Sequence, residues 1–459
     1  MFSLVFTFLF SLLHTITESK LLFVFEHIRH GARGPWKDLD LTTYKDIFEE
    51  VWKGLGELTP SGLRMHYLLG VRNRNKYKSF ISPNFNANEM LVYSTDVNRT
   101  IMSVYAHLQG MFPTGQVLSD EQLKHADIPG ETSKEIEEEK QKLGKMAIKN
   151  GIEVFPVHIF DTSKRLFSLN ENKVCPGAKT LKEEKFNLTT TQETLHKLCQ
   201  YVNDTFGEYL FKYFDIHDPD YYFSRENIYR IGDNFLVDFF DRREMEALKK
   251  TGVDMEALYK AAVNISMTDT YELELRTKNE KLSIMGMSPT FRSLIEWMDK
   301  RIQLDKDGKT DEITPVAPKM VIYSGHDTTL AQMSFFMEQV FGVKSFYAGF
   351  AANQFFELSK ENDKYFINYN YNDESDFTME YSTFKSKILE TIWTQDEIND
   401  FCDEISSFTY FMISTYILAG VVAILIALSI YGFIKRKKSK EQFKPMIFLM
   451  SHMKKLKEN

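Results

Sequence analysis

Apolar and polar positions along the chain alternate between two regimes. "KLLFVFEHIRHG" is a near-continuous apolar run that breaks into a charged loop, the pattern of a central strand buried on both faces. "LTPSGLRMHYLLGVRNRNKY" follows with Leu63, Tyr67 and Val71 at helical spacing, and with Thr59 and Pro60 suited to cap and open a helix. The same strand, loop and helix order recurs in "NEMLVYSTDVNRTIMSVYAHLQGMF", with a strand from about Met90 to Tyr93 and a helix to about Met111. It recurs again in "PKMVIYSGHDTTLAQMSFFMEQVF", with a strand from about Met320 to Tyr323 and a helix from near Thr328. Strands that end in polar loops opening onto helices predict an α/β fold with a doubly wound, mostly parallel sheet and helices on both faces. "FFELSKENDKYFINYNYN" alternates around a turn and predicts a β-hairpin.

Between these segments, residues 116–310 are rich in Lys and Glu with helical patches, and read as a mainly helical insertion. The expected core is then residues 20–115 and 311–375, followed by a membrane-proximal stretch, 376–407. Residues 1–19 have an apolar centre and small or polar residues at their end, as a secretory signal does. Phe408 to Ile434 carries no charge and is long enough to cross a hydrocarbon core of about 30 Å. "KRKKSK" comes next, so the expectation is one C-terminal transmembrane helix with residues 435–459 as a cytosolic basic tail and the N-terminal bulk outside the cytosol.

Charge sharpens this arrangement. The whole chain has a formal charge of −8, of which the last 25 residues supply +7, leaving −15 on the rest. An acidic body argues against nucleic acid as a partner, whereas the basic tail suits the anionic face of a bilayer. Three cysteines occur, Cys175, Cys199 and Cys402, and a Cys175–Cys199 bridge is one pairing that an oxidising compartment would allow. Sequons at Asn187, Asn203 and Asn264 fit a glycosylated surface, while the one at Asn98 adjoins Arg99 and is expected to stay bare.

The candidate chemistry sits where the three strands end. The first supplies Arg29, His30 and Arg33, the second Arg99 in the first turn of its helix, the third His326 and Asp327. Cations gathered beside helix N-termini make an anion site, because free N–H groups and the helix dipole reinforce them. His27, His66 and His107 read as structural, and Asp96 as an N-cap that also pairs with an arginine.

"RHGARGP", "STDVNRT" and "SGHDTT", in this order, resemble the signature of the histidine acid phosphatases, and the similarity runs from Leu21 to about Asn372. The resemblance implies hydrolysis of phosphate monoesters through a phosphohistidine on His30, with Asp327 as proton donor and Arg29, Arg33, Arg99 and His326 as phosphate ligands. It implies no metal and no cofactor, an acidic working pH, and a type I membrane protein of a lysosome-like compartment or the cell surface. A phytase-like or lysophosphatidate-directed specialist is the nearest alternative; a surface receptor on the same fold is another, disfavoured because all six residues are present. A homodimer remains an open expectation.

Overall fold

A computed structural model describes residues 19–36, 54–160, 175, 177–178, 189–214, 216, 218, 221, 224–242, 246–270, 280–372 and 374–456. Seven strands form one sheet: β1 (Lys20–Arg29), β2 (Met90–Ser94), β3 (His158–Ile159), β4 (Met320–Gly325), β5 (Asn353–Glu361), β6 (Lys364–Tyr371) and β7 (Glu374–Glu380). Their order is β3-β2-β4-β1-β5-β6-β7. β1, β2, β3 and β4 pair in parallel, whereas β5, β6 and β7 continue from β1 as an antiparallel half. The α/β class is as expected, and the expected hairpin is β5–β6, which makes the sheet mixed.

β1 lies at the centre, and the near-continuous apolar run is explained by burial of both of its faces. Phe23 and Phe25 point to one side with Val321, Tyr323, Phe356 and Leu358. They pack on α6 (Glu280–Lys306), α7 (Asp327–Phe341) and α8 (Tyr381–Thr391) through Phe291, Leu294, Met333, Phe336 and Phe384. Val24 and Ile28 point to the other side with Met90, Val92, Met320 and Ile322. There they meet α1 (Pro60–Lys76) and α2 (Asn98–Met111) through Leu69, Val104, Leu108 and Met111. Each such fully buried side chain contributes about 1.5–3 kcal/mol.

α1 starts as expected: Thr59 Oγ1 accepts from Gly62 N–H at 3.2 Å and Pro60 occupies the first turn. α2 does not start as expected. Its N-cap is Val97, with no side-chain cap bond, and Asp96 is exposed and forms no ion pair with an arginine among the described residues. The buried Thr100 hydroxyl lies 2.8 Å from Val97 O and 3.1 Å from Thr95 O, tying the first turn to the preceding loop without capping an N–H. α1 and α2 cross where glycines allow backbone contact: a methyl on Gly70 would lie 1.9 Å from His107 O.

A second apolar cluster unites α3 (Thr189–Phe214), α4 (Arg225–Val237) and α5 (Met255–Met267), through residues such as Leu210, Phe235, Leu258 and Ile265. α4 runs on into a π-helical turn, Asp238–Arg242. β3 and α6, although their residues fall between 116 and 310, belong to the sheet and its covering layer.

The cysteine pairing that the sequence leaves open is not Cys175–Cys199. Cys175 bonds to Cys402, across 227 residues of sequence, and Cys199 is buried outside any disulfide. The reason is which core each residue serves. Cys199 faces the α3–α5 cluster, while Cys175 and Cys402 share a separate one with Leu282, Met285 and Ile398.

Cys402 lies on α9 (Gln395–Leu456), which also contains the one candidate membrane span found among the described residues, Phe411–Lys438, with a mean hydropathy of 2.6 and none of it buried. Of the sequons, Asn98 and Asn264 are exposed and Asn203 is half-buried; Asn187 and all but the last residue of the expected signal at 1–19 lie outside the described residues.

Candidate active site

Strand register brings the candidate residues together. Ile28 lies opposite Ser324, Ser94 opposite Ser324, and Arg29 opposite Gly325, so β1, β2 and β4 end at one level. The loops beyond these strands therefore emerge at the same edge of the sheet, the usual location of sites in such folds.

The loop after β1 turns tightly against α1. A methyl on Gly31 would lie 2.4 Å from Gly62 O, and one on Gly62 2.1 Å from Ala32 O, so both positions exclude any side chain. Gly31 N–H donates to Ser103 Oγ on α2 at 3.1 Å, and Thr59 N–H to Ala32 O at 3.0 Å. His30 is only 1% exposed. Its Nδ1 lies 2.8 Å from Gly31 O, and a carbonyl can only accept, so Nδ1 carries the proton and Nε2 keeps its lone pair. Burial first, then Arg29, Arg33, His326 and Arg99, push the imidazole's pKa well below its ordinary value, which keeps it neutral.

Around His30 stand the other five residues. Arg29 donates from Nη1 to Ala348 O at 2.6 Å and from Nη2 to Asp327 Oδ2 at 2.7 Å. Arg33 donates from Nη1 and Nη2 to Asp233 at 3.1 and 2.8 Å. Arg99 reaches Gly56 O and His326 Nδ1, each at 3.4 Å, and burial followed by Arg33 lowers its pKa to about 10. The His326 ring lies edge-on to His30 with centroids 5.6 Å apart. Burial, then Arg99, lower its pKa to about 4. Asp327 opens α7, where the helix N-terminus favours its charge, and Thr328 N–H donates to it at 2.9 Å. Burial pushes its pKa up, but Arg29, Arg33 and His326 outweigh burial and hold it below the usual carboxylate value.

The histidines expected to be structural occupy supporting positions. His66 donates from Nε2 to Arg29 O at 2.9 Å, fixing the backbone just before His30. His27 accepts from Gln354 Nε2 at Nδ1, 3.3 Å, and donates from Nε2 to Thr329 Oγ1 at 3.1 Å; that hydroxyl accepts from His326 N–H at 3.0 Å. His107 lies 3.4 Å from the fully buried Glu26.

Three contributors were not evident from sequence. Phe350 packs under the Arg29 guanidinium at 4.5 Å and near His30 with centroids 5.9 Å apart. Thr95 Oγ1 lies 3.0 Å from His326 Nε2 and sits inside the "STDVNRT" stretch, where a hydroxyl beside a candidate anion ligand was a usable signal. Asp233 lies about two hundred residues from Arg33 on a helix that carries no motif, and nothing local points to it.

Among relatives, human prostatic acid phosphatase is 24% identical over 372 residues, 79% of this chain and 80% of its own length. Mouse testicular acid phosphatase is 39% identical over 99 residues, and lysosomal acid phosphatase of Xenopus laevis 36% over 133. These two alignments cover 21% and 28% of this chain but only 23% and 30% of the relatives. Among solved structures, the apo form of Hafnia alvei phytase superposes with a TM-score of 0.54 at 14% identity, covering 82% of this chain and 98% of that one. Citrobacter braakii phytase gives 0.50 at 14%, covering 82% and 99%. At such identities the structural likeness speaks for the fold alone. The profile of the histidine phosphatase superfamily (branch 2) matches residues 20–372, a span that holds all six residues of the cradle, and the chain belongs to that superfamily.

Proposed function

We propose that the protein is an acid phosphatase that hydrolyses phosphate monoesters through a phosphohistidine on His30. One observation carries this reading: a buried neutral imidazole, with Nδ1 tied to Gly31 O, surrounded by Arg29, Arg33, Arg99 and His326 and by the carboxylate Asp327. In the first step His30 Nε2 attacks phosphorus, the phosphorus–oxygen bond to the leaving alcohol breaks, and Asp327 gives that oxygen its proton. In the second, water attacks the phosphohistidine, Asp327 accepts the water's proton, and the phosphorus–nitrogen bond breaks to release phosphate. The arginines and His326 stabilise the equatorial oxygens in both steps. With no substrate bound, the cations keep Asp327 ionised. A phosphomonoester adds negative charge to those same cations, which raises the carboxyl's pKa, and an acidic medium then supplies the proton.

The core is assigned to residues 20–115 and 311–375 together with β3 and α6, and the α3–α5 cluster between them to an insertion that shapes the approach to the cradle. The candidate span Phe411–Lys438 supports a membrane anchor. Its basic end at Lys435, Arg436, Lys437 and Lys438 favours the cytosol, which leaves the catalytic body luminal or extracellular, in a lysosome-like compartment or at the cell surface.

Replacing His30 by Ala in the full-length protein tests the reading. Turnover of p-nitrophenyl phosphate at acid pH should fall by at least about a thousandfold; turnover at the wild-type rate would remove His30 as the nucleophile. Wild-type activity should survive EDTA and be blocked by orthovanadate.

A further inference from the structure

α4 brings to the cradle a buried carboxylate for which the two chemical steps have no use. Asp233 accepts from Arg33 Nη1 at 3.1 Å, from Arg33 Nη2 at 2.8 Å and from Trp36 N–H at 2.7 Å. Gly34 O takes a further Nη1 proton at 2.9 Å. One turn earlier on α4, Tyr229 packs edge-on against Trp36 with ring centroids 6.4 Å apart. The helix thus grips both ends of the Arg33–Trp36 turn.

A guanidinium carries five N–H bonds in one plane, in a fixed fork. Asp233 and Gly34 engage both protons of Nη1 and one of Nη2. What remains is the side edge of the fork, Nε–H and the second Nη2–H, which can bind two oxygens at once. Arg33 Nε is buried and has no hydrogen-bond partner. Arg29 repeats the arrangement: Ala348 O and Asp327 hold its terminal nitrogens, and its Nε is likewise buried without a partner. Two arginines of one cradle are tied by their ends with Nε left over.

We propose that Asp233 is a positioning residue for phosphoryl binding: it holds the terminal edge of the Arg33 guanidinium so that the Nε–Nη2 edge meets two phosphoryl oxygens. This rests on Arg33 being a phosphate ligand, as assigned above. A carboxylate in this place has two opposite effects. It competes electrostatically for the arginine, which alone would weaken anion binding, and it orients the fork, which strengthens it. Burial holds the pair in one geometry, so orientation dominates.

The test uses the full-length protein with D233N, R33A and the double variant, read as kcat/KM on p-nitrophenyl phosphate, as the inhibition constant of orthovanadate, and as melting temperature. R33A should lower kcat/KM strongly; a wild-type value there would overturn the phosphate-ligand assignment itself. D233N should lower kcat/KM by about 10- to 100-fold and raise the vanadate inhibition constant in step. The double variant should match R33A alone, because Asp233 acts only through Arg33. Unchanged or tighter vanadate binding in D233N, or losses that multiply in the double variant, would overturn the inference. Should D233N fail to fold, D233E decides. It keeps the charge but displaces it by one methylene, so kcat/KM should fall at least about fivefold at a native melting temperature; a wild-type value would overturn the inference.

Discussion

The chemistry of the cradle turns on which side chains hold protons. Asp327 is the sharpest case: burial raises its pKa, and Arg29, Arg33 and His326 more than offset the rise. Its proton should matter in proportion to the basicity of the leaving group. Asp327→Asn should therefore lower kcat for an alkyl phosphate such as glycerol phosphate by about 10²- to 10⁴-fold, and for p-nitrophenyl phosphate by much less. Equal losses on both substrates would contradict the proton-donor role. The buried histidines make a second prediction. His27 and His66 are pushed to about 3 and His326 to about 4, with burial the leading cause in each. They stay neutral in the folded chain, whereas the unfolded chain takes up protons near 6.5. Their contribution is thus complete above about pH 6.5 and is lost as pH falls towards 4 and 3. The melting temperature should drop over that range, and His66→Asn, which keeps a donor for Arg29 O but does not titrate, should flatten the slope. A melting temperature unchanged from pH 7 to 4 would contradict this. At this scale the six cradle residues were legible because each stands close beyond a readable strand end or helix start. Asp233 and Phe350 were not, because their roles come from tertiary contact alone.

At the scale of elements, α2 carries Arg99 and owes its position to its close crossing with α1. A methyl on Gly110 would lie 2.1 Å from Tyr67 O, and Gly70 is as constrained from the other side. Gly70→Ala should force the helices apart, lower stability by about 1–3 kcal/mol, and raise KM as Arg99 shifts; thermal melts and steady-state kinetics check both. The Cys175–Cys402 bridge closes a loop of 227 residues and restrains the unfolded chain by at most about 5 kcal/mol. Cys402→Ser should lower the melting temperature by several degrees, and Cys199→Ala, which breaks no bridge, by clearly less. Strands and their following helices were legible because apolar runs and cap residues are local signals, as with Thr59 and Pro60. The pairing of cysteines was not, since it depends on which core each residue joins. The false signal at Asp96 has the same origin: the fold starts α2 one residue later, with Val97 as its N-cap, and leaves the Asp96 side chain exposed.

For the molecule as a whole, the mixed sheet sets the site, and the proposed membrane span would set the place. The parallel half, β1 to β4, lines up the ends that carry the cradle, and the antiparallel half buries the other edge of β1. Both halves were readable from sequence, the first from repeated strand–loop–helix units and the second from an alternating hairpin; the contribution of α4 to the cradle was not. If Phe411–Lys438 spans a bilayer, the full chain should remain in the membrane pellet after alkaline carbonate extraction, and a chain ending at residue 405 should not. Recovery of the full chain in the supernatant would contradict the anchor. The most direct test of the whole account is to mix the full-length enzyme with substrate at acid pH, quench within the turnover time, and map the bound phosphate by mass spectrometry. The account predicts phosphate on His30 and none in His30→Ala; phosphate on another residue, or hydrolysis without any phosphoenzyme, would contradict it.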